Sequence, residues 1–151
     1  MITTDKGIET LNDLIEINND RVAGFEKASK DLEANDSDLR AIFTQFSEDS
    51  KRNAYELTNA VKQYGGDPET GTSASGNIHR AWIDVKATFS GHDRKSILEE
   101  CERGEDAIKK AYQEALQSDS GLNAQDVQLL RQQKSVIDAG HDSIKALRDS
   151  Q

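Results

Sequence analysis

Apolar residues recur at intervals of three and four along most of the chain, which is the spacing of one face of an α-helix. From about Thr4 to Glu33 this pattern predicts a long amphipathic helix. Its inward positions are Ile8, Leu11, Ile15, Val22, Phe25 and Leu32. A second helix follows the turn "ANDSD" and ends at "YGGDP", where Gly65 and Gly66 suit a left-handed cap and Pro68 prevents continuation.

The second half of the chain repeats the helical spacing in three segments. A short amphipathic helix is predicted from Ile78 to Phe89, and its Trp82 is expected to pack on the other helices, because exposing it would leave a large apolar patch. A longer helix runs from about Asp93 to Gln117. The last helix follows Asn123, a good N-cap residue with Asp126 three positions later.

The lengths of the connections predict how the four long helices are arranged. The first and second helices, and the third and fourth, are joined by short turns that force antiparallel neighbours, whereas about 28 residues separate the second from the third. Such a crossover allows helices two and three to run parallel. We therefore predict an all-α fold with a single domain over residues 1–151. It is a ferritin-like four-helix bundle with a long crossover carrying a short extra helix.

Three segments also carry a resemblance to a known family. They are "YGGDPETGTSASGNIHRAW", "ERGEDAIKKAY" and "HDSIKALRD". Together they resemble a family of bacterial proteins, a domain of unknown function that is grouped with the ferritin-like four-helix bundles. The resemblance extends over nearly the whole chain and implies the fold. It implies no particular activity, substrate or catalytic residue.

Composition narrows the classes of partner. The net charge of -9 disfavours a nucleic-acid backbone or an anionic membrane as a partner, because both would be repelled. The start of the chain lacks a basic leader with an apolar signal segment, and no apolar run approaches the length of a membrane span. A cytoplasmic, acidic protein is expected. The one cysteine, Cys101, lies on an apolar helix face and is interpreted as a core residue.

Polar residues interrupt the apolar face of each helix near its middle. Projected on ideal helices, these residues form one central polar layer. Its predicted members are Asn18, Ser50, Asn53, Glu105 and His141. Asp20, in contrast, is predicted to face away from the bundle. Glu105 is the one carboxylate that this projection places firmly in the layer. A di-iron site in a helical bundle uses about four carboxylates, together with histidines from Glu-x-x-His motifs.

Two interpretations of this layer remain open. In the first, Glu105 and His141 belong to a buried hydrogen-bonded network, with Glu105 paired to the histidine or to an amide. In the second, Glu105 and His141 bind a single metal ion with water, assisted by Glu102 or Asp138. We favour the network, because two protein ligands seldom hold a divalent ion against water.

These observations lead to two functional hypotheses. The first is a non-catalytic bundle that associates with itself or with an unknown protein partner, in a stress-related role suggested by the ferritin-like relationship. It requires no cofactor and has no catalytic residues. The alternative is a redox or iron-storage-type protein that binds iron, manganese or zinc at Glu105 and His141.

Overall fold

Four long α-helices form the part of the chain that the structure describes. The computed structural model describes residues 5–32, 36–73, 82, 94–117 and 120–150. The helices are α1 (Asp5–Asp31), α2 (Ser37–Gln63), α3 (Arg94–Ala115) and α4 (Ala124–Asp149). The all-α prediction is confirmed, and the four predicted long helices match within a few residues at each end. Most of the short helix predicted from Ile78 to Phe89 lies outside the described residues.

Two helix ends follow the capping residues that the sequence predicts. Gly65 adopts a left-handed φ of 77°, and the backbone N–H of Gly66 donates to the carbonyl of Val61 at 3.0 Å, which closes the C-terminus of α2. At the start of α4, the side chain of Asn123 accepts a 2.8 Å hydrogen bond from the backbone N–H of Asp126. Both predicted caps are confirmed.

Each described helix packs against two antiparallel neighbours. Helix α1 contacts α2 and α3, and α4 contacts the same two helices. The direction follows from paired residues: Thr10 near the start of α1 bonds to Ser120 beyond the end of α3, while Arg21 further along α1 meets Glu105. Helices α2 and α3 therefore run parallel, across a diagonal of the bundle.

Two apolar clusters fill the interior, one towards each end of the bundle. One cluster contains Phe25, Ala28, Leu32, Leu39, Phe43, Phe46, Trp82, Ile97, Leu98, Cys101 and Ile144. The other contains Leu11, Leu14, Ile15, Ile17, Leu57, Ala60, Val61, Ile108, Tyr112, Ala115, Leu130 and Ile137. Polar side chains separate the two clusters at mid-height, so the core consists of two apolar halves around a polar layer.

Trp82 connects the long crossover to the bundle. Its indole is fully buried and lies against two helix glycines, Gly24 on α1 and Gly104 on α3. A methyl group at Gly24 would come within 2.2 Å of the indole ring, and one at Gly104 within 2.6 Å. The ring also meets Phe25 edge-on at a centroid distance of 5.3 Å. The expectation that Trp82 packs on the bundle is confirmed for this residue.

The polar segment after α2 lies along α1 and is held there by side chains of α1. Asn12 donates to the carbonyl of Asp67 and accepts from the backbone N–H of Glu69, at 3.1 and 3.0 Å. Asp20 accepts hydrogen bonds from the backbone and hydroxyl of Ser73. This segment covers the carboxylate of Asp20, so Asp20 is fully buried although its position on α1 is predicted to face away from the bundle.

Gly24→Ala tests the close packing of Trp82 against Gly24 and Gly104. The added methyl overpacks the indole, so we expect a loss of about 1–3 kcal/mol in the free energy of unfolding, measured by urea denaturation. The control is the same substitution in a Trp82→Leu background, where the smaller side chain leaves room and the loss should largely vanish. An equal loss of stability in both backgrounds would contradict close packing between Gly24 and Trp82.

Candidate functional site: a buried polar layer

The polar layer takes side chains from all four helices and extends over about two helical turns in the middle of the bundle. On each helix its members replace apolar residues in the inward series at spacings of three or four, so the periodicity that builds the core also builds the layer. Its members are Asn18 and Arg21 from α1, Ser50 and Asn53 from α2, Glu105 and Tyr112 from α3, and Gln133 from α4. All of them are buried, and Asn18, Arg21, Ser50 and Glu105 are fully so.

An ion pair between Arg21 and Glu105 lies at the centre of the layer. The guanidinium binds the carboxylate with two parallel hydrogen bonds, from Nε to Oε1 at 2.6 Å and from Nη2 to Oε2 at 3.1 Å. Both side chains have zero solvent exposure. This bidentate geometry is the strongest that arginine makes with a carboxylate, and it engages both oxygens of Glu105.

Arg21 also makes contacts through its other terminal nitrogen, Nη1, and with two aromatic rings. Nη1 donates to the backbone carbonyl of Phe46 at 3.2 Å and to the hydroxyl of Ser50 at 3.1 Å. The guanidinium carbon lies 5.3 and 5.2 Å from the ring centroids of Phe25 and Phe46, within cation–π range. On the α4 side, a methyl at Gly140 would come within 3.0 Å of Nη2 and 3.3 Å of the Phe46 ring, so glycine leaves space for the guanidinium there.

Amides and a phenol extend the layer below the ion pair. The side-chain oxygen of Asn18 accepts from Ser50 at 3.0 Å and from Asn53 at 3.2 Å. Its amide nitrogen donates to the Tyr112 hydroxyl at 2.8 Å, and that hydroxyl donates to Gln133 at 2.7 Å. The chain of bonds runs continuously from Glu105 through Arg21 to Gln133. A buried network of this kind is stable only when its members are paired.

Burial shifts the pKa values of the ionisable groups in and beside the layer. Removal from water raises the pKa of the Glu105 carboxyl, while the nearby Arg21 charge opposes that shift. Burial also raises the pKa of the Tyr112 hydroxyl, so this residue stays a neutral donor. The pKa of the Cys101 thiol is well above its usual value, chiefly through burial and also through Glu105. Such a thiol is a poor nucleophile, in keeping with a core role.

The structure brings most of the predicted layer residues together, with a different partner for Glu105. Asn18, Ser50 and Asn53 bond to one another, and Glu105 reaches them through Arg21. The pairing of Glu105 with His141 or an amide is wrong, because Arg21 takes both carboxylate oxygens.

His141 lies at the rim of the layer, in a separate group of charged residues. Its Nε2 is 2.5 Å from Asp106 Oδ1, and its Nδ1 is 3.3 Å from Asp142 Oδ1. Glu102 contacts Arg148, and Asp138 pairs with Lys134 at 2.7 Å. A metal ion held by Glu105 and His141 stays a prediction, and it would have to displace Arg21 from the carboxylate.

Arg21, Tyr112 and Gln133 are the layer members that the sequence did not predict. Arg21 is three residues after Asn18 and four before Phe25, so the helical period places it on the inward face despite its charge. Gln133 has the same relation to Leu130 and Ile137. The signal was present in the spacing, but a charged or amide side chain is normally assigned to solvent.

Fold and site together define a class: an all-α four-helix bundle with a buried, internally paired polar layer. The chain belongs to the DUF2383 family, a domain of unknown function, whose family model matches residues 6–118. That match includes Arg21 and Glu105, whereas Gln133 and His141 lie beyond it. The comparison with curated proteins gave no match. Among the described helices, none is both long and apolar enough to cross a bilayer.

Removing one partner of the central ion pair tests whether the charges depend on each other. Arg21→Met should lower the free energy of unfolding by about 3–5 kcal/mol, because it leaves Glu105 buried without its cation. The double variant Arg21→Met with Glu105→Leu should recover much of that loss, since it removes both charges. Urea denaturation measures both. Additive losses in the double variant would contradict the pairing.

Proposed function

We propose that the protein is a ferritin-like bundle without internal catalytic chemistry, which acts by associating with a second copy of itself or with another protein. The observation that carries this proposal is the position of Arg21. Its guanidinium lies fully buried at the centre of the bundle and engages both oxygens of Glu105. A bundle that uses its interior for metal chemistry needs that space for carboxylates and metal ions.

The order and direction of the helices support the ferritin-like part of the proposal. Short joins connect α1 to α2 and α3 to α4, and residues 64–93 connect two parallel helices on a diagonal. One long crossover of this kind is characteristic of ferritin-like bundles.

The donor groups of the layer support the non-catalytic part. Glu105 is the one carboxylate among the layer members, and its neighbours are amides, hydroxyls and a cation. Two metal ions in a bundle core require several carboxylates for neutralisation, and a buried arginine adds charge of the wrong sign. The interior groups bond to one another, which leaves the outer surface for function.

Exposed apolar side chains on that surface support association. Tyr55 on α2 is 67 % exposed and Val136 on α4 is 37 % exposed, and both are large apolar residues in helices. Tyrosine is enriched at protein interfaces because it buries a large rigid area and keeps a polar tip. The ferritin-like relationship adds the proposal of a bacterial, cytoplasmic and stress-related setting, by analogy of fold.

Light scattering over a range of protein concentrations tests association directly. We expect a mass above the 16.7 kDa of one chain. Tyr55→Ser should weaken self-association about tenfold, whereas the control Gln113→Ser, also exposed but on α3, should not. A mass of one chain at every concentration would contradict self-association.

Iron oxidation, measured on the same purified protein, tests the proposal that the bundle has no catalytic chemistry. Fe²⁺ added under air should be oxidised no faster than in buffer alone. Rapid oxidation that is abolished by Glu105→Ala would contradict the proposal.

A further inference from the structure

A second polar cluster lies outside the central layer, between α3 and α4. Glu102 and Asp106 are four residues apart on α3, so they share one helix face, and His141 approaches them from α4. One ligand atom from each residue lies within 4.8 Å of the other two. Glu102 and His141 are mostly buried, whereas the Asp106 side chain is 61 % exposed. The cluster thus opens to solvent on one side.

The imidazole of His141 lies between two carboxylates. Nε2 is 2.5 Å from Asp106 Oδ1, and Nδ1 is 3.3 Å from Asp142 Oδ1. Either ring nitrogen can carry the proton. With the proton on Nδ1, that nitrogen donates to Asp142 and Nε2 offers a lone pair on the side of Asp106, as a metal ligand does; with the proton on Nε2, this nitrogen donates to Asp106 without a metal ion.

We propose that Glu102, Asp106 and His141 bind one divalent transition-metal ion of the zinc type, which cross-links α3 to α4. One imidazole nitrogen and two carboxylate oxygens are a donor set that Zn²⁺ accepts, with water in the fourth position. Two carboxylates also balance the charge of the ion. A carboxylate at the other ring nitrogen, as Asp142 provides, orients histidine ligands in metal sites and strengthens them.

Binding requires modest movement of two side chains. In a tetrahedral site with bonds of about 2.0 Å, ligand atoms lie about 3.3 Å apart, so Asp106 must retreat and Glu102 must advance by on the order of 1 Å. Exposure allows Asp106 to move. Glu102 now contacts Arg148, which also donates to Asp149 at 2.9 Å and keeps that partner when Glu102 turns to the metal.

This site is separate from the central layer. A metal ion bound there leaves the ion pair of Arg21 and Glu105 intact. The metal would link α3 to α4 outside the centre of the bundle. It does not depend on the proposed association, because both helices belong to one chain.

Zinc titration of the untagged protein, after removal of metals with EDTA, tests the proposal. Calorimetry should show one bound Zn²⁺ per chain. A free Zn²⁺ concentration of about 100 times the Kd should raise the Tm of the protein by about 5–10 °C. Asp106→Asn and His141→Ala should each weaken binding at least tenfold. If His141→Ala fails to fold, the exposed Asp106→Asn variant decides the result.

Two substitutions serve as matched controls. Asp138→Asn removes a carboxylate one helical turn from His141 that pairs with Lys134, and His79→Ala removes another histidine of the chain. Both should retain the affinity of the unmodified protein. Absence of saturable zinc binding would overturn the proposal and leave the cluster as hydrogen-bonded side chains without a metal. Binding unaffected by Asp106→Asn, or lost in His79→Ala, would also overturn it.

Discussion

The fully buried ion pair of Arg21 and Glu105 is the interaction on which the rest of the structure depends. A charge away from water is tolerated only with a counter-charge and partners for its remaining hydrogen-bond groups. Arg21 has both: two bonds to Glu105, one to Ser50 and one to a backbone carbonyl of α2. Because Arg21 lies on α1 and its partners lie on α2 and α3, these bonds fix three helices at one height.

The polar layer also explains why the core is divided in two. Sliding one helix along another by a turn would place an apolar residue opposite the Arg21 charge. A buried charge without its counter-charge is strongly destabilising, whereas a purely apolar core would tolerate the shift more easily. We therefore regard the layer as the element that specifies helix register. Arg21 and its partners occupy the centre of the bundle, whereas the cluster at His141 lies outside it.

Apolar periodicity predicted the four long helices and most of the layer, because burial of one helix face is a local property of sequence. It identified Asn18, Ser50 and Asn53 by position. It missed Arg21, since a charged side chain enters a core only when a partner from another helix is already there. It also gave no sign that Asp20 is buried, because the segment that covers this residue lies 53 positions further along the chain. These partners come from distant parts of the chain, so the spacing of residues within one helix cannot predict them.

Hydrogen exchange at the Arg21 side chain tests the central claim most directly. Nuclear magnetic resonance of protein labelled with ¹⁵N can follow the Nε–H that donates to Glu105. If the pair is closed in the core, this proton should exchange only when the bundle opens, orders of magnitude more slowly than the Nε–H of the exposed Arg52. Exchange of Arg21 as fast as that of Arg52 would contradict a buried, paired guanidinium.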